Sequence, residues 1–172
     1  MYLESNRLLI RKFSMDDVQE VSKYTSSPVV MRYMPEGVMN EEETKKLVLG
    51  NMGENPKKFA VILKNKNILI GHMEFFRYFG EHTYEIGWVF NPDYYNRGFA
   101  TEAAQVLLNF GFTDMKLHRI IATCQPENIP SYRIMEKLGM RREGYFKKCI
   151  PCGEEWWDEY FYAILAEEWV KR

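Results

Sequence analysis

Apolar and polar residues alternate in several short stretches of this chain, and such stretches predict β-strands. The clearest lies at 84–90, where a proline at position 92 then ends the strand because proline has no N–H to donate to a neighbour. The predicted strands are residues 8–13, 59–63, 68–76, 84–90, 119–124, about 140–147, and 156–166.

Other stretches repeat their apolar residues at helical spacing. Ser14 precedes a predicted helix at 15–25, and Asn40 precedes one that ends before Gly53. Pro28 and the segment 35–37 are predicted to lie in loops. Two further helices are predicted from Gly98 onward and at 128–138.

The order of these elements predicts the fold class. Early helices, an antiparallel meander and a strand–helix–strand crossover favour a mixed α/β fold with a mostly antiparallel central sheet and helices on both faces. No repeat, low-complexity tract or long linker divides the sequence. We therefore expect one domain over residues 1–172.

Composition and charge narrow the function. The chain has 172 residues, of which 46% are hydrophobic and 27% charged, as in ordinary globular proteins. A net charge of -1 gives no general basic surface for nucleic acid or anionic membrane. No apolar run is long enough to span a bilayer. We expect a cytoplasmic protein that binds neither nucleic acid nor membrane.

The three cysteines and three histidines predict no metal site. Cys149 and Cys152 form a C-x-x-C, which is found in redox sites and in halves of zinc sites. No second pair completes a zinc site, and a Pro-Cys-Gly turn is expected here instead of a helix start. The favoured interpretation is a hairpin turn with incidental thiols. Cys124 is expected to be structural.

The segment 91–103 carries the strongest candidate chemistry. A strand ends, the chain turns, and a helix begins at Gly98. The first N–H groups of a helix are unpaired, and the helix dipole favours anions there, so this turn is a candidate phosphate cradle. It is neither a Walker A loop nor a G-x-G-x-x-G. By itself the favoured interpretation is a glycine needed only for the turn.

A second motif follows at 125–140. Asn128 is a suitable N-cap, Pro130 suits the first helical turn, and Gly139 suits the end. The simplest interpretation is a capped surface helix, with Ile134, Met135 and Leu138 facing inward.

Together the motifs resemble the GCN5-related N-acetyltransferase (GNAT) family. Residues 97–103, Asn128-x-x-Ser131 and the residues 136–139 carry the likeness. The segments 3–11 and 156–165 resemble the two ends of its RimJ/RimL-like branch, the ribosomal-protein-alanine acetyltransferase type. The resemblance covers essentially the whole chain.

This resemblance implies the acyl-CoA N-acyltransferase fold, with a splayed parallel strand pair and acetyl-CoA as co-substrate. Backbone amides of the loop would bind the pyrophosphate, and the free edge of a splayed strand would pair with the pantetheine. The implied coenzyme contacts are Val89, Phe90, Arg97, Gly98, Phe99, Ala100, Thr101, Asn128 and Ser131.

The sequence departs from the family at two positions. Many members have a tyrosine that protonates the leaving thiolate where this chain has Met135, which cannot donate a proton. In the RimJ/RimL-like branch a serine at the position of Ser131 is proposed for that role, and we carry it over. Tyr95 replaces the usual Gln or Arg of the loop, which matters little if the contacts come from the backbone.

Acetyl transfer also needs a base, because a protonated amine is not nucleophilic. Glu85 is the first candidate for the base, because strand alternation puts it on the same face as Gly87 and Val89. Glu74, on the adjacent predicted strand, is the second candidate. The alternative is that both are solvated carboxylates. The N–H of Val89 or Phe90 is a candidate donor to the developing oxyanion.

The acceptor is not named by the sequence. Tyr33 and Trp157 are candidate substrate contacts, because aromatic faces suit a cationic amine. Their alternative role is in the core. The acceptor class stays open between a protein N-terminus and a small amine such as a polyamine or amino sugar, and a homodimer is possible. The competing hypothesis is a catalytically inactive acetyl-CoA sensor or interaction module, which Met135 keeps open.

Overall fold

The computed structural model describes residues 1–169, which form eight strands and six α-helices. The strands are β1 (Tyr2–Glu4), β2 (Leu8–Arg11), β3 (Lys58–Leu63), β4 (Ile68–Phe79), β5 (Thr83–Phe90), β6 (Arg119–Cys124), β7 (Arg141–Cys152) and β8 (Glu155–Leu165). The helices are α1 (Val18–Thr25), α2 (Pro28–Met31), α3 (Glu41–Gly50), α4 (Phe99–Thr113), α5 (Ile129–Lys137) and α6 (Ala166–Trp169). Short 3₁₀ turns, Met15–Asp17 and Pro92–Tyr94, precede α1 and α4.

The architecture is mixed α/β and confirms the predicted fold class. Most neighbouring strands are antiparallel, β5 and β6 are parallel, and helices surround the strands. The chain forms two compact units. The first contains Met1–Phe76 and Trp88–Leu107, and the second contains Arg77–Gly87 and the chain from Leu108 onward.

The first unit has the strand order β1-β2-β3-β4, all antiparallel, with the last residues of β5 beside β4. Its core joins these strands to α1 and α3. The side chains that form it are Phe13, Val21, Tyr24, Met31, Met39, Val48, Ala60, Ile62, Leu69 and Val89. α1 contributes through residues spaced three apart, as expected for one face of a helix.

The second unit has the strand order β5-β6-β8-β7. β6 is its centre, because it pairs in parallel with β5 and antiparallel with β8. Ile120, Ile121 and Ala122 on this strand are fully buried. Met135 and Leu138, at the end of α5, are also buried, as the sequence predicted.

One detail of the prediction was wrong. Pro28 begins the short helix α2, because proline is compatible with the first turn of a helix, where its missing N–H has no partner to lose. Asn128 is the N-cap residue of α5, as predicted, but its side chain makes no cap hydrogen bond. Its ψ of 63° differs from the extended backbone that points a capping side chain at the helix N–H groups, which Asn40 does adopt.

The last hairpin is longer than predicted. The predicted strand 140–147 extends to Cys152, so Cys149 and Cys152 lie in β7, and the turn follows at residues 153–154. Most of β7 is exposed on both faces, so its sequence lacks the alternation that signals a half-buried strand. Its pairing with β8 is what makes this segment a strand. Within residues 1–169, none of the helices is long and apolar enough to cross a membrane.

A buried histidine links the first unit's stability to pH. His72 on β4 is 1% exposed, and its Nδ1 lies 2.8 Å from the hydroxyl of the buried Tyr24. Burial lowers the pKa of His72 well below its usual value, and the charge of Lys58 adds to this. The ring is therefore neutral in the folded protein.

We predict that stability falls as the pH drops below about 6.5, where the unfolded chain binds a proton at His72 that the folded chain does not. The loss is about 1.4 kcal/mol per pH unit from this site until the lowered pKa is reached. Urea unfolding from pH 7.5 to 5 measures it. His72→Gln should remove this component, whereas His82→Gln, at an exposed site, should keep it. An equal slope in both variants would contradict the assignment.

Candidate active site

The loop before α4 turns through two residues with left-handed backbone conformations. Asn96 has a φ of 58° and Gly98 a φ of 77°. The first helical hydrogen bond runs from the N–H of Glu102 to the carbonyl of Gly98. The N–H groups of residues 99–101 therefore precede the helical ladder and remain for other acceptors. The left-handed φ favours glycine at position 98. Space does not, because the nearest atom to an added Cβ would be 3.6 Å away, an ordinary contact distance.

Arg7 holds this loop, a contact that sequence reasoning missed. Its guanidinium lies 2.5 Å from the carboxylate of Glu102 and donates to the carbonyl of Arg97 at 3.1 Å. The same group lies 4.4 Å from the ring centre of Phe99. The turn between β1 and β2 thus fixes both ends of the loop. Because Arg7 and Glu102 are 95 positions apart in the sequence, no local signal indicated this pair.

The carboxylate of Glu102 is kept charged at the start of α4. Burial by itself raises the pKa of Glu102, but hydrogen bonds from Ser5 and Arg7 outweigh it and hold the pKa below the usual value. The Ser5 hydroxyl donates at 2.7 Å and the Arg7 N–H at 3.1 Å. Because Arg7 neutralises this charge, the acidic side chain does not cancel the anion-favouring end of the helix.

The segment Val89–Phe90 lies against β4 without room for a side chain between them. A Cβ added at Gly71 would be 2.6 Å from the carbonyl oxygen of Val89 and 2.9 Å from the Cα of Phe90. The side chains of Val89 and Phe90 are both buried. The backbone at the end of β5 is therefore fixed by close packing.

Glu74, the second candidate base, forms an ion pair with Lys58, which also reaches Glu36 at 3.3 Å. Burial lowers the pKa of Lys58, but the two carboxylates outweigh this and the pKa is raised. Lys58 is thus charged, and it stays paired with Glu74. Tyr33 is half-buried in the same unit, with the Arg32 guanidinium 5.2 Å from its ring centre.

The parallel pairing of β5 with β6 is short. It joins Thr83–Glu85 to Arg119–Ile121, and the last pair is Glu85 with Ile121. β6 nevertheless continues to Cys124. The pairing ends before Ile86 and Gly87, the next residues of β5 in the second unit. Such an end is expected where two parallel strands separate.

Two of the predicted catalytic residues contact consecutive residues at this end of β6. The Thr123 hydroxyl donates to Glu85 at 3.2 Å. On the other side, Ser131 hydrogen-bonds the thiol of Cys124. Successive side chains of a strand point to opposite faces, so Glu85 and Ser131 flank the end of β6 from opposite sides.

The thiol of Cys124 orients Ser131 without being reactive. Burial raises the pKa of Cys124 to about 12, despite hydrogen bonds from Ser131 and the Tyr132 backbone. The contact with Ser131 lowers the pKa of the thiol, so the Ser131 hydroxyl acts as a donor toward the Cys124 sulfur. Ser131 itself lies in the first turn of α5, where its N–H donates to the Asn128 carbonyl at 3.0 Å.

Met135 is fully buried, so this position supplies packing and no proton. Trp157 is half-buried on β8 opposite Ile150. On the α5 side, a cavity of about 450 Å³ is lined by Tyr132, Arg133, Glu136, Met140, Arg142, Tyr160 and Tyr162. Strand alternation puts its two β8 tyrosines on the face opposite Glu159 and Phe161. Residues 1–169 contain no group of three or more His, Cys, Asp or Glu side chains suited to a metal ion.

Known proteins resemble the chain over nearly its whole length. The sequence model of the family described as Acetyltransferase (GNAT) domain matches residues 7–141. The uncharacterized N-acetyltransferase YnaD of Bacillus subtilis is 64% identical over 169 residues, which cover 98% of this chain and 99% of YnaD.

Solved structures agree with this match. The crystal structure of a GNAT-family acetyltransferase from Bacillus anthracis has a TM-score of 0.95 at 66% identity and covers 98% of this chain and 100% of that one. Spermidine N-acetyltransferase from Vibrio cholerae, in complex with CoA and spermine, has a TM-score of 0.82 at 20% identity, with 96% and 99% coverage. This second likeness shows the fold alone. The chain belongs to the GNAT family of acetyltransferases and is an acetyl-CoA-dependent enzyme of that class.

Proposed function

We propose that this chain moves the acetyl group of acetyl-CoA to a primary amine by direct attack, without a covalent enzyme intermediate. The observation that carries this proposal is the end of β6, where Glu85 and Ser131 flank consecutive residues on opposite faces. Direct transfer needs a base for the attacking amine and an acid for the departing thiolate. Two groups on opposite sides of one strand end suit those two tasks.

Glu85 is the general base in this proposal. Its carboxylate accepts a hydrogen bond from Thr123, so its position is fixed. Glu74 is the weaker candidate, because Lys58 already pairs with it. The N–H of Val89 or Phe90 serves as the donor to the oxyanion, and close packing at Gly71 supports this by fixing the backbone there.

Ser131 is the acid that donates to the leaving thiolate. The contact with Cys124 supports this role, because the Ser131 hydroxyl already donates toward a neutral sulfur and a charged thiolate is a stronger acceptor. The loop residues Arg97, Gly98, Phe99, Ala100 and Thr101 hold the pyrophosphate through their N–H groups, and Asn128 approaches the pantetheine arm. The free amides at the start of α4 support the fit of the coenzyme.

Several broader predictions belong to the same proposal. The chain acts as one N-acetyltransferase domain, since the family match at residues 7–141 passes through both compact units. It is of the RimJ/RimL-like type, on the likeness of its two ends. Its acceptor is a protein N-terminus or a small amine, which Tyr33 and Trp157 contact. A cytoplasmic location and a homodimer also stay predictions.

The competing function is an acetyl-CoA sensor without catalysis. Met135 favours it, because the tyrosine that protonates the thiolate in many relatives is absent. The test is a screen of the purified protein against N-terminal peptides, polyamines and aminoglycosides, read by release of free thiol. Acetylation of any amine excludes the sensor. Binding of CoA by calorimetry with no acetylated amine favours it.

We predict that Arg7→Ala weakens CoA binding. The variant loses the contacts to Glu102 and to the Arg97 carbonyl, so the loop no longer keeps its amides in place. The Kd for CoA should rise about 10-fold, equivalent to about 1.4 kcal/mol. Calorimetric titration with CoA measures this. Lys46→Ala, which breaks an exposed ion pair with Glu42 on α3, is the matched control and should bind normally. An unchanged Kd for CoA in Arg7→Ala would show that Arg7 does not hold the loop in its binding conformation.

We predict that Ser131→Ala lowers kcat about 100-fold or more, within the range of one lost proton-transfer group, while the Kd for CoA stays within about twofold. The reason is that the variant removes the acid and leaves the loop intact. Ser26→Ala, whose hydroxyl bonds only its own helix, is the control. Steady-state thiol release gives kcat. Full activity in Ser131→Ala would show that another group protonates the thiolate.

A further inference from the structure

The Thr123 hydroxyl contacts a second carboxylate besides that of Glu85. The same hydroxyl is also within hydrogen-bond reach of Glu159 on β8. The register explains why the three side chains meet. Glu85 pairs with Ile121, Thr123 lies two residues further along β6 on the same face, and Thr123 pairs with Phe161 of β8. Glu159 lies two residues before Phe161, again on that face. The three side chains form a row across three neighbouring strands.

A hydroxyl has a single hydrogen, so Thr123 can donate to only one of the two carboxylates at a time. In the structure it donates to Glu85. Glu159 then faces an oxygen lone pair. When Glu85 gains a proton, it becomes a donor to the Thr123 oxygen, and the hydroxyl hydrogen can turn to Glu159. The row of side chains can therefore pass one proton from β5 to β8.

We propose that Glu159 is the last protein acceptor of the amine proton, which reaches it from Glu85 through the hydroxyl of Thr123. This rests on the function proposed above, in which Glu85 is the base. The ammonium loses its proton to the Glu85 carboxylate, and that proton then moves to the Thr123 oxygen. The Thr123 hydrogen moves in turn to the Glu159 carboxylate. Glu85 is again ionised, and no charge is created or lost.

The surroundings of Glu159 suit it to receive the proton. Burial raises the pKa of Glu159, and the hydrogen bond that Thr123 donates when its hydrogen turns to Glu159 offsets this only in part. Glu159 therefore holds a proton better than an ordinary glutamate. It is also half-buried instead of fully enclosed, so it can release the proton to solvent.

The other titratable groups near Glu159 do not compete for this proton. Cys124 on β6 and Cys149 on β7 interact with its charge, and burial raises the pKa of both thiols. Both are therefore already protonated. Asp158 has a lowered pKa, because it accepts hydrogen bonds from Tyr145 and the Lys148 backbone.

The remaining neighbours on this face are mainly aromatic. Phe146 of β7 pairs with Glu159, and the ring of Phe161 is 6.0 Å from that of Phe146 and 6.1 Å from that of Tyr78. The end of β4 in this unit also carries Arg77, which is exposed. Tyr78 and Phe146 are exposed, and the Thr123 hydroxyl provides a polar connection between the two carboxylates.

The test uses the full chain with the amine that the screen identifies. Glu159→Gln and Thr123→Val should each lower kcat about 10-fold, with the Kd for CoA unchanged, because a lost proton-transfer step is worth 10-fold or more. Thr123→Ser keeps the hydroxyl and should retain activity. The double variant Thr123→Val/Glu159→Gln should fall about 10-fold and not about 100-fold, since both changes break one path. Glu167→Gln, at an exposed position on α6, is the control.

A second measurement does not depend on activity. In protein labelled with ¹³C at glutamate side chains, NMR titration reports the pKa of each carboxyl group. Glu85→Gln should lower the pKa of Glu159 by about half a unit or more, because Glu85 is ionised while Glu159 titrates and its negative charge is removed. An unchanged pKa of Glu159 in that variant overturns the proposal, as does kcat in Glu159→Gln within twofold of the wild type or a multiplicative double variant. If the wild-type chain acetylates no amine, both the function proposed above and the relay are rejected. If the wild type is active and Glu159→Gln is equally active, only the relay is rejected.

Discussion

The parallel pairing of β5 with β6 covers three residue pairs, and the chemistry of the second unit depends on where it stops. Beyond Ile121, β6 keeps only its antiparallel neighbour β8, and its last side chains alternate between two faces. On one face Thr123 contacts Glu85, and on the other face Cys124 contacts Ser131. A continued ladder between the two strands would use the backbone groups that a splayed strand leaves available to a ligand. The short pairing thus gives up backbone hydrogen bonds between the strands, and the proposed function requires those backbone groups to be available to the coenzyme.

The first unit faces a different constraint, which is electrostatic. Its candidate pyrophosphate loop depends on free N–H groups at the start of α4, yet an acidic side chain, Glu102, stands in the first turn of that helix. Arg7 resolves the conflict by pairing with Glu102 and by holding the Arg97 carbonyl. The positive end of the helix and the loop conformation are thereby maintained together. One side chain from the turn between β1 and β2 so connects the beginning of the chain to the candidate coenzyme site.

Buried polar groups in both units are either paired or kept neutral. Asp17 is an example: burial raises the pKa of its carboxyl, but hydrogen bonds from Arg11 and Ser14 outweigh this and the pKa is lowered. His72 and Cys124 instead stay uncharged because burial disfavours their ions. The difference lies in the partners available at each position. A guanidinium stabilises a carboxylate, whereas a phenol or a serine hydroxyl leaves its partner neutral.

The sequence by itself determined most of the local structure. The short apolar run at 119–124 indicated the bounds of β6, and the glycine at 98 with the apolar spacing after it indicated the start of α4, because these signals arise between residues a few positions apart. The motifs at 97–103 and 128–139 sufficed to indicate the family. Met135 was recognised as a non-donor from its chemistry alone.

Only the tertiary structure decided which side chains meet. Arg7 and Glu102, or Glu85, Thr123 and Glu159, come from distant segments, and strand order and register bring them together. Glu74, the second candidate base, lies opposite Lys58 on β3 and pairs with it, a contact that only the strand register shows. The length of β7 likewise followed from pairing with β8 and not from its own pattern. The spacing of apolar residues shows which side chains share a face of one helix or strand. The contact partners and pKa values of side chains depend on neighbouring elements, which the order of residues along the chain does not specify.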